Sequence, residues 1–365
     1  MIEITDAAVE DLRRRLKHTR WPDPESVEDW SQGVPLDYQR ELAEYWEKEY
    51  DMRRLERLLG RFPNFKTEVD GLGIHYIHVQ SPKADARPLI MTHGWPGSVV
   101  EFLEVIEPLS EDFHLVVPSL PGYGWSDKPA AAGTGVQRIG RLWDALMRQL
   151  GYDRYYAQGG DWGAVLAWTM SQQQPEGLAG VHVNLMLCDR KVIGQLGDRT
   201  AEEQEQLDKL KRYRSQDSGY AKEQASKPQT LSYGLADSPA GQLAWVIEKF
   251  YNWTDNRGRP EDAIGRDALL DNVMVYWLTN TAASSARLYW ESMVASLGSF
   301  DPIPGPLAYS KFPHEIFTFS ERFVKTRVEN LTYYGEPAAG GHFAAFEQPG
   351  LFVDELKAGI ESLPD

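Results

Sequence analysis

The chain has 365 residues, 42% apolar and 25% charged, the composition of an ordinary globular protein with room for one large core and an inserted or appended module. Its 38 Lys and Arg against 54 Asp and Glu leave a net charge of −16, which opposes nucleic acid and anionic membranes as partners but has no bearing on a neutral substrate. A single cysteine, Cys188, excludes an internal disulfide framework and fits a reducing compartment.

In chain order, residues 6–20 read as a helix with Asp6 as N-cap and Val9, Leu12 and Leu16 roughly on one face. The residues before it lack the basic-then-apolar pattern of a signal peptide. A second amphipathic segment, 36–60, carries Leu42, Trp46, Leu55 and Leu59 and stops at Gly60. From Phe65 the period changes to alternation, and residues 66–79 around Gly71-Leu72-Gly73 predict a hairpin. Strands at 89–91, 113–117, 155–157 and 181–183 then alternate with helices at 98–109, 135–150 and 162–173. Such alternation implies a mostly parallel sheet with helices on both faces. Residues 189–300 break the pattern, being polar, charge-rich and helical, and it returns at 307–309, 331–334 and a last helix, 350–361. The expected organisation is an N-terminal helical segment (1–64), a first part of an α/β core (65–188), a helical lid (189–300) and the rest of the core (301–365). The longest apolar stretch, 178–188, is broken by His182 and Asn184 and is too short to span a bilayer, so a soluble, cytoplasmic protein is expected.

Gly159-Gly160-Asp161-Trp162-Gly163 follows a short strand and precedes a helix, the setting of a nucleophile elbow with Asp where Ser usually stands. Alone, the pattern also fits a glycine-rich turn with Asp161 as a helix cap. His93-Gly94-Trp95-Pro96-Gly97-Ser98 lies after an earlier strand, where an α/β-hydrolase fold places its oxyanion loop, making the backbone N–H groups of Trp95 and Trp162 the candidate donors. His342, in Gly340-Gly341-His342-Phe343 after the last strand, is the one histidine placed to act as base. The candidates for its orienting carboxylate are Glu315, just after the strand expected at 306–311, and Asp189, after the strand at 181–183; Glu347 reads as a surface residue. His93 reads as a brace for its own loop. His75 and His78 face opposite sides of a strand, and no metal is implied.

A carboxylate nucleophile suits displacement at saturated carbon, and the ester it forms must then be hydrolysed by base-activated water. Halide and epoxide oxygen remain as leaving groups. An epoxide oxygen needs an acid, and Tyr220 and Tyr289 in the lid region are candidates, although each is also compatible with a core or surface tyrosine.

These motifs resemble those of microsomal-type epoxide hydrolases over nearly the whole length. Besides the segments around Trp95, Asp161 and His342, Pro121-Gly122-Tyr123-Gly124-Trp125-Ser126 is similar to a family motif. Phe312-Pro313-His314-Glu315 matches the segment holding the catalytic Glu, and Tyr220 and Tyr289 match the epoxide-polarising tyrosines. Trp30, Pro35, Leu36 and Tyr38 resemble the N-terminal module that wraps core and lid. The resemblance implies an α/β-hydrolase fold with an inserted helical lid, and cofactor-free conversion of a small apolar epoxide and water to a vicinal diol. Mammalian members carry an N-terminal membrane anchor, and this chain begins directly at the wrapping helix, so a soluble bacterial-type member is expected. A haloalkane dehalogenase using the same Asp161, with the Trp162 indole on the halide, is the alternative, and a catalytically silent binding module a third reading. A homo-oligomer is compatible with the sequence.

Overall fold

A computed structural model describes residues 2–296 and 300–365; Met1 and residues 297–299, the latter within the expected lid, lie outside the described residues. Eight strands form one sheet: β1 (Asn64–Val69), β2 (Leu72–Val79), β3 (Arg87–Thr92), β4 (Phe113–Pro118), β5 (Tyr155–Gly159), β6 (Leu178–Val183), β7 (Ile303–Ser310) and β8 (Val328–Gly335). Their spatial order is β1-β2-β4-β3-β5-β6-β7-β8. β1 and β2 pair antiparallel through the tight Asp70-Gly71 turn, where both residues take positive φ (47° and 77°), and β2 is antiparallel to β4. All remaining pairs are parallel. The central strands are covered on both faces, which is why Leu89, Ile90, Met91, Leu115, Val116 and Val117 read as continuous apolar runs rather than alternation.

The chain passes from β3 to β4 on one side and then returns to β5 on the other. That reversal leaves a crevice at the carboxyl ends of β3 and β5, where open α/β sheets bind ligands. Thr92 pairs with Gly159 across it, so the loop after β3 and the turn after β5 emerge side by side. Likewise β7 and β8 are neighbours, and a parallel bridge between His314 and Gly341 brings the loops that follow them together.

No strand lies between β6 and β7 among the described residues; helices from Arg190 to Ser296 fill that interval. The N-terminal helix runs Asp6–Lys17 and is capped by Thr5, whose side chain accepts from the Ala8 N–H, not by Asp6, which sits in the first turn. The segment 36–60 is two helices, Leu36–Lys48 and Arg54–Leu59. The break between them turns Tyr50 inward, where its hydroxyl donates to Asp271. The stretch expected as a helix from 98 opens as a 3-10 turn, Val99–Phe102, before the helix Leu103–Ser110.

Candidate active site

Asp161 takes φ 49°, a left-handed conformation that an L-residue adopts only where its surroundings impose it. The glycines around it explain how. A Cβ on Gly163 would collide with the Thr92 carbonyl, and one on Gly159 with the Gly163 backbone, so the turn can fold this tightly only without side chains there. The strain lifts the Asp161 carboxylate out over the ends of β3 and β5. Its Oδ1 accepts the Trp95 backbone N–H at 2.8 Å, and its Oδ2 lies 3.3 Å from His342 Nε2.

Behind His342, Glu315 is wholly buried, and its Oε1 takes the imidazole Nδ1 at 2.6 Å and the Ile316 N–H at 2.6 Å. Burial alone would push the His342 imidazole down, but Glu315 and Asp161 outweigh it and hold it well above its usual range. Asp189 is elsewhere, capping the helix Arg190–Ile193 through the Lys191 N–H. Glu336 pairs with Lys311. His93 is buried, bonded through Nδ1 to the Gly94 carbonyl and accepting the Leu120 N–H at Nε2, and burial lowers its pKa to about 4, so it stays a neutral brace.

The lid closes over this group with aromatic rings. Trp95 stacks on Tyr220 at 5.0 Å, and Tyr289 packs edge-on against Trp162 at 4.9 Å and Tyr220 at 5.9 Å. Tyr220 starts the helix Gly219–Ser226, just after a π-helical turn, Tyr213–Asp217, of the kind often found at functional sites. Burial raises both phenols well above their usual range, so both keep their protons. Beside Asp161 and these phenols opens a cavity of about 420 Å³, walled by Val165, Leu185, Leu187, Leu210, Met293 and Phe317. That is the size and character of a pocket for a small, mostly apolar molecule.

The structure thus brings together Asp161, His342, Glu315, Tyr220, Tyr289 and the Trp95 N–H. It shows no hydrogen bond from the Trp162 N–H to Asp161; instead the Trp162 side chain lies within hydrogen-bonding reach of the Tyr289 hydroxyl. Three further residues at the site were not among the expected ones: Tyr213 and Trp253, marked only by the aromatic excess, and Glu347, which lies at the end of the Gly340–Glu347 motif. Tyr213 shares a 2.9 Å hydrogen bond with Tyr220. Trp253 packs on the His342 ring, accepts the His342 N–H at its carbonyl and donates its indole N–H to Asp217. Glu347, read from sequence as a surface residue, is buried. It accepts the backbone N–H groups of Asp255 (2.7 Å), Gly341 (3.1 Å) and Phe343 (3.0 Å), which fixes the histidine loop against the lid.

A core sheet interrupted by helices, with an acidic turn at its switch point, makes the protein an α/β hydrolase. The family models agree: residues 1–102 match the epoxide hydrolase N terminus and residues 87–191 the α/β hydrolase fold. A relative from Stigmatella aurantiaca, provisionally named an epoxide hydrolase, is 48% identical over 99% of this chain and 84% of its own length. Epoxide hydrolase 1 of Sus scrofa is 33% identical over 98% of this chain and 87% of its own. Among solved structures, juvenile hormone epoxide hydrolase from Bombyx mori superposes with a TM-score of 0.90 at 32% identity, covering 99% of this chain and 93% of that one. Aspergillus niger epoxide hydrolase does so with 0.91 at 30% identity, covering 100% and 96%. This chain belongs to the epoxide hydrolase family. Among the described residues, no helix is long and apolar enough to cross a membrane.

Proposed function

We propose that this chain hydrolyses small apolar epoxides to vicinal diols through an ester on Asp161. The observation that carries this reading is the convergence of two protonated phenols, Tyr220 and Tyr289, on the apolar cavity that Asp161 lines. Asp161 Oδ2 attacks a ring carbon of the epoxide, the C–O bond breaks, and a phenolic proton passes to the departing oxygen. Oδ1 remains on the Trp95 N–H throughout. Ester formation deletes the negative charge beside His342, so the imidazolium gives its proton to the phenolate and the neutral imidazole can then take one from water. Hydroxide adds to the Asp161 carbonyl carbon, the oxyanion forms on Oδ1 in the Trp95 site, and as it collapses the proton of the added hydroxyl passes to the departing oxygen, releasing the diol and restoring the carboxylate. His342, protonated again beside the restored Asp161 carboxylate, is back in its starting state.

The dehalogenase alternative places halide on the Trp162 indole and needs no acid, whereas here the Tyr289 ring packs edge-on against that indole at 4.9 Å and two phenols face the cavity. A single turnover with enzyme in excess in ¹⁸O-water tests the ester route. The label is expected in the Asp161 carboxylate and not in the diol; label in the first diol would mean that water attacks the epoxide directly. Asp161→Asn abolishes turnover in this scheme, and His342→Gln lets the ester accumulate.

A further inference from the structure

Asp161 also lines a second, much smaller cavity, of about 20 Å³. That volume accommodates one water molecule, since about 10–15 Å³ suffices for one. Its walls include Asp161, His342, Gly94, Asn184 and Glu101. It touches both the base and the carbon-bearing group that water must attack. Glu101 is the acidic member of this wall that the reaction has not yet used.

Glu101 lies in the 3-10 turn Val99–Phe102, directly after the oxyanion loop. A Cβ on Gly97 would coincide with its carboxyl oxygen, so that glycine is what lets the carboxyl fold back toward the site. One interaction, from the Ser98 N–H, ties the carboxyl to its own turn. Among the described residues no Lys, Arg or His forms an ion pair with it. Part of its surface stays accessible, and it lines the cavity. Burial pushes the carboxyl up to about 8, with His342 working against that and Asp161 and Glu347 adding to it. At neutral pH it is therefore an uncharged acid, able both to accept and to donate a hydrogen bond without placing a charge against the oxyanion.

We infer that Glu101 is a positioning residue for the hydrolytic step, holding the attacking water between itself, His342 and the Asp161 carbonyl carbon. The water gives one O–H to His342 Nε2 and the other to the Glu101 carbonyl oxygen, which aims a lone pair at the carbon. As the new C–O bond forms, His342 keeps the transferred proton and the carbonyl electron pair moves onto Asp161 Oδ1. A buried carboxyl that served only to prop the oxyanion loop would instead affect ester formation and ester hydrolysis alike.

The inference rests on the two-step reading, and single-turnover kinetics separate the two. Ester formation is followed by quenching of tryptophan fluorescence, Trp95, Trp162 and Trp253 all lying at the site, and ester decay by its recovery. Glu101→Leu removes the polar contact, and Glu101→Asp keeps the chemistry but withdraws it by one methylene. Both are expected to form the ester within about threefold of the parent rate and to hydrolyse it about a hundredfold more slowly, the cost of misplacing a reacting group by about 1 Å. Glu101→Gln, which retains donor and acceptor, brings hydrolysis back to within about tenfold. Normal hydrolysis in Glu101→Asp, or equal loss in both steps, overturns the assignment. If the parent enzyme forms no ester at all, the two-step reading fails instead.

Discussion

At the scale of single residues, the imidazole of His342 depends on the carboxylate behind it, and the chain offers several. Glu315 meets Nδ1 at 2.6 Å from a fully buried position, one residue past the bridge that joins the β7 and β8 loops. Glu315→Gln should keep the packing but remove the charge that fixes the tautomer, lowering the rate of ester hydrolysis by about 10³–10⁴-fold, as such substitutions do in other triads. Asp189→Asn should leave the rate within about twofold, since Asp189 only caps a four-residue helix. Steady-state assays of the two variants decide between them; loss of activity in Asp189→Asn alone would reverse the assignment. Chain order admitted both Glu315 and Asp189, which lie between nucleophile and base, and the preference for Glu315 came from the family resemblance of its segment. Glu347 was not legible. Its partners are three backbone N–H groups contributed by the lid and the histidine loop, and nothing in a sequence marks which backbone groups a fold leaves unpaired.

At the scale of elements, the strands and core helices could be read because burial on one or both faces imprints a period on the residues. The helical interval between β6 and β7 could be read from the loss of that period, but the packing of its helices could not. Its helix Ala201–Arg212 shows why. Thr200 and Glu203 form a capping box, a local pattern, yet Glu203 also turns inward to Ser320 and Arg322, more than a hundred residues away. The hydrogen bond from Arg322 leads in drawing its carboxyl down to about 2. The sign follows from linkage: a depressed carboxyl pKa contributes stability that is complete above the ordinary glutamate range and is lost as pH falls toward about 2. Glu203→Gln should therefore destabilise the protein by about 2–3 kcal/mol at neutral pH, the range for a cap plus a charge-assisted hydrogen bond. The difference from the parent should shrink as the pH is lowered from 4.5. Urea unfolding of parent and variant across that range checks it, and a constant difference would mean that the pairing with Arg322 contributes nothing.

At the scale of the whole molecule, the N-terminal segment reaches the active site without touching it. Tyr50 and Arg54 hold both oxygens of Asp271, which is 1% exposed, on the helix Arg266–Thr279. The next residue, Asn272, donates to the Pro96 carbonyl and accepts from the Ser98 hydroxyl, and Tyr276 one turn on donates to the Gly97 carbonyl. One helix thus grips the oxyanion loop while the N-terminal segment grips that helix. The wrapping could be anticipated only by resemblance, because its bonds join residues more than two hundred positions apart. Trp30, one of the residues that carried the resemblance, stacks on Tyr251 at 3.9 Å. Arg54→Ala should leave a buried carboxylate with a phenol as its remaining partner and lower stability by about 2–4 kcal/mol. If the helix transmits that loss, kcat/KM should also fall at temperatures well below the transition, and Arg54→Ala should couple to Asn272→Ala by at least about 0.5 kcal/mol in a double-mutant cycle on kcat/KM. Arg15→Ala supplies the comparison, since it cuts a tie between the first helix and Asp237, which is 84% exposed, and should change neither quantity. Additive effects of Arg54→Ala and Asn272→Ala would reduce the N-terminal segment to a clamp on the lid, with no hand in shaping the site that holds Asp161.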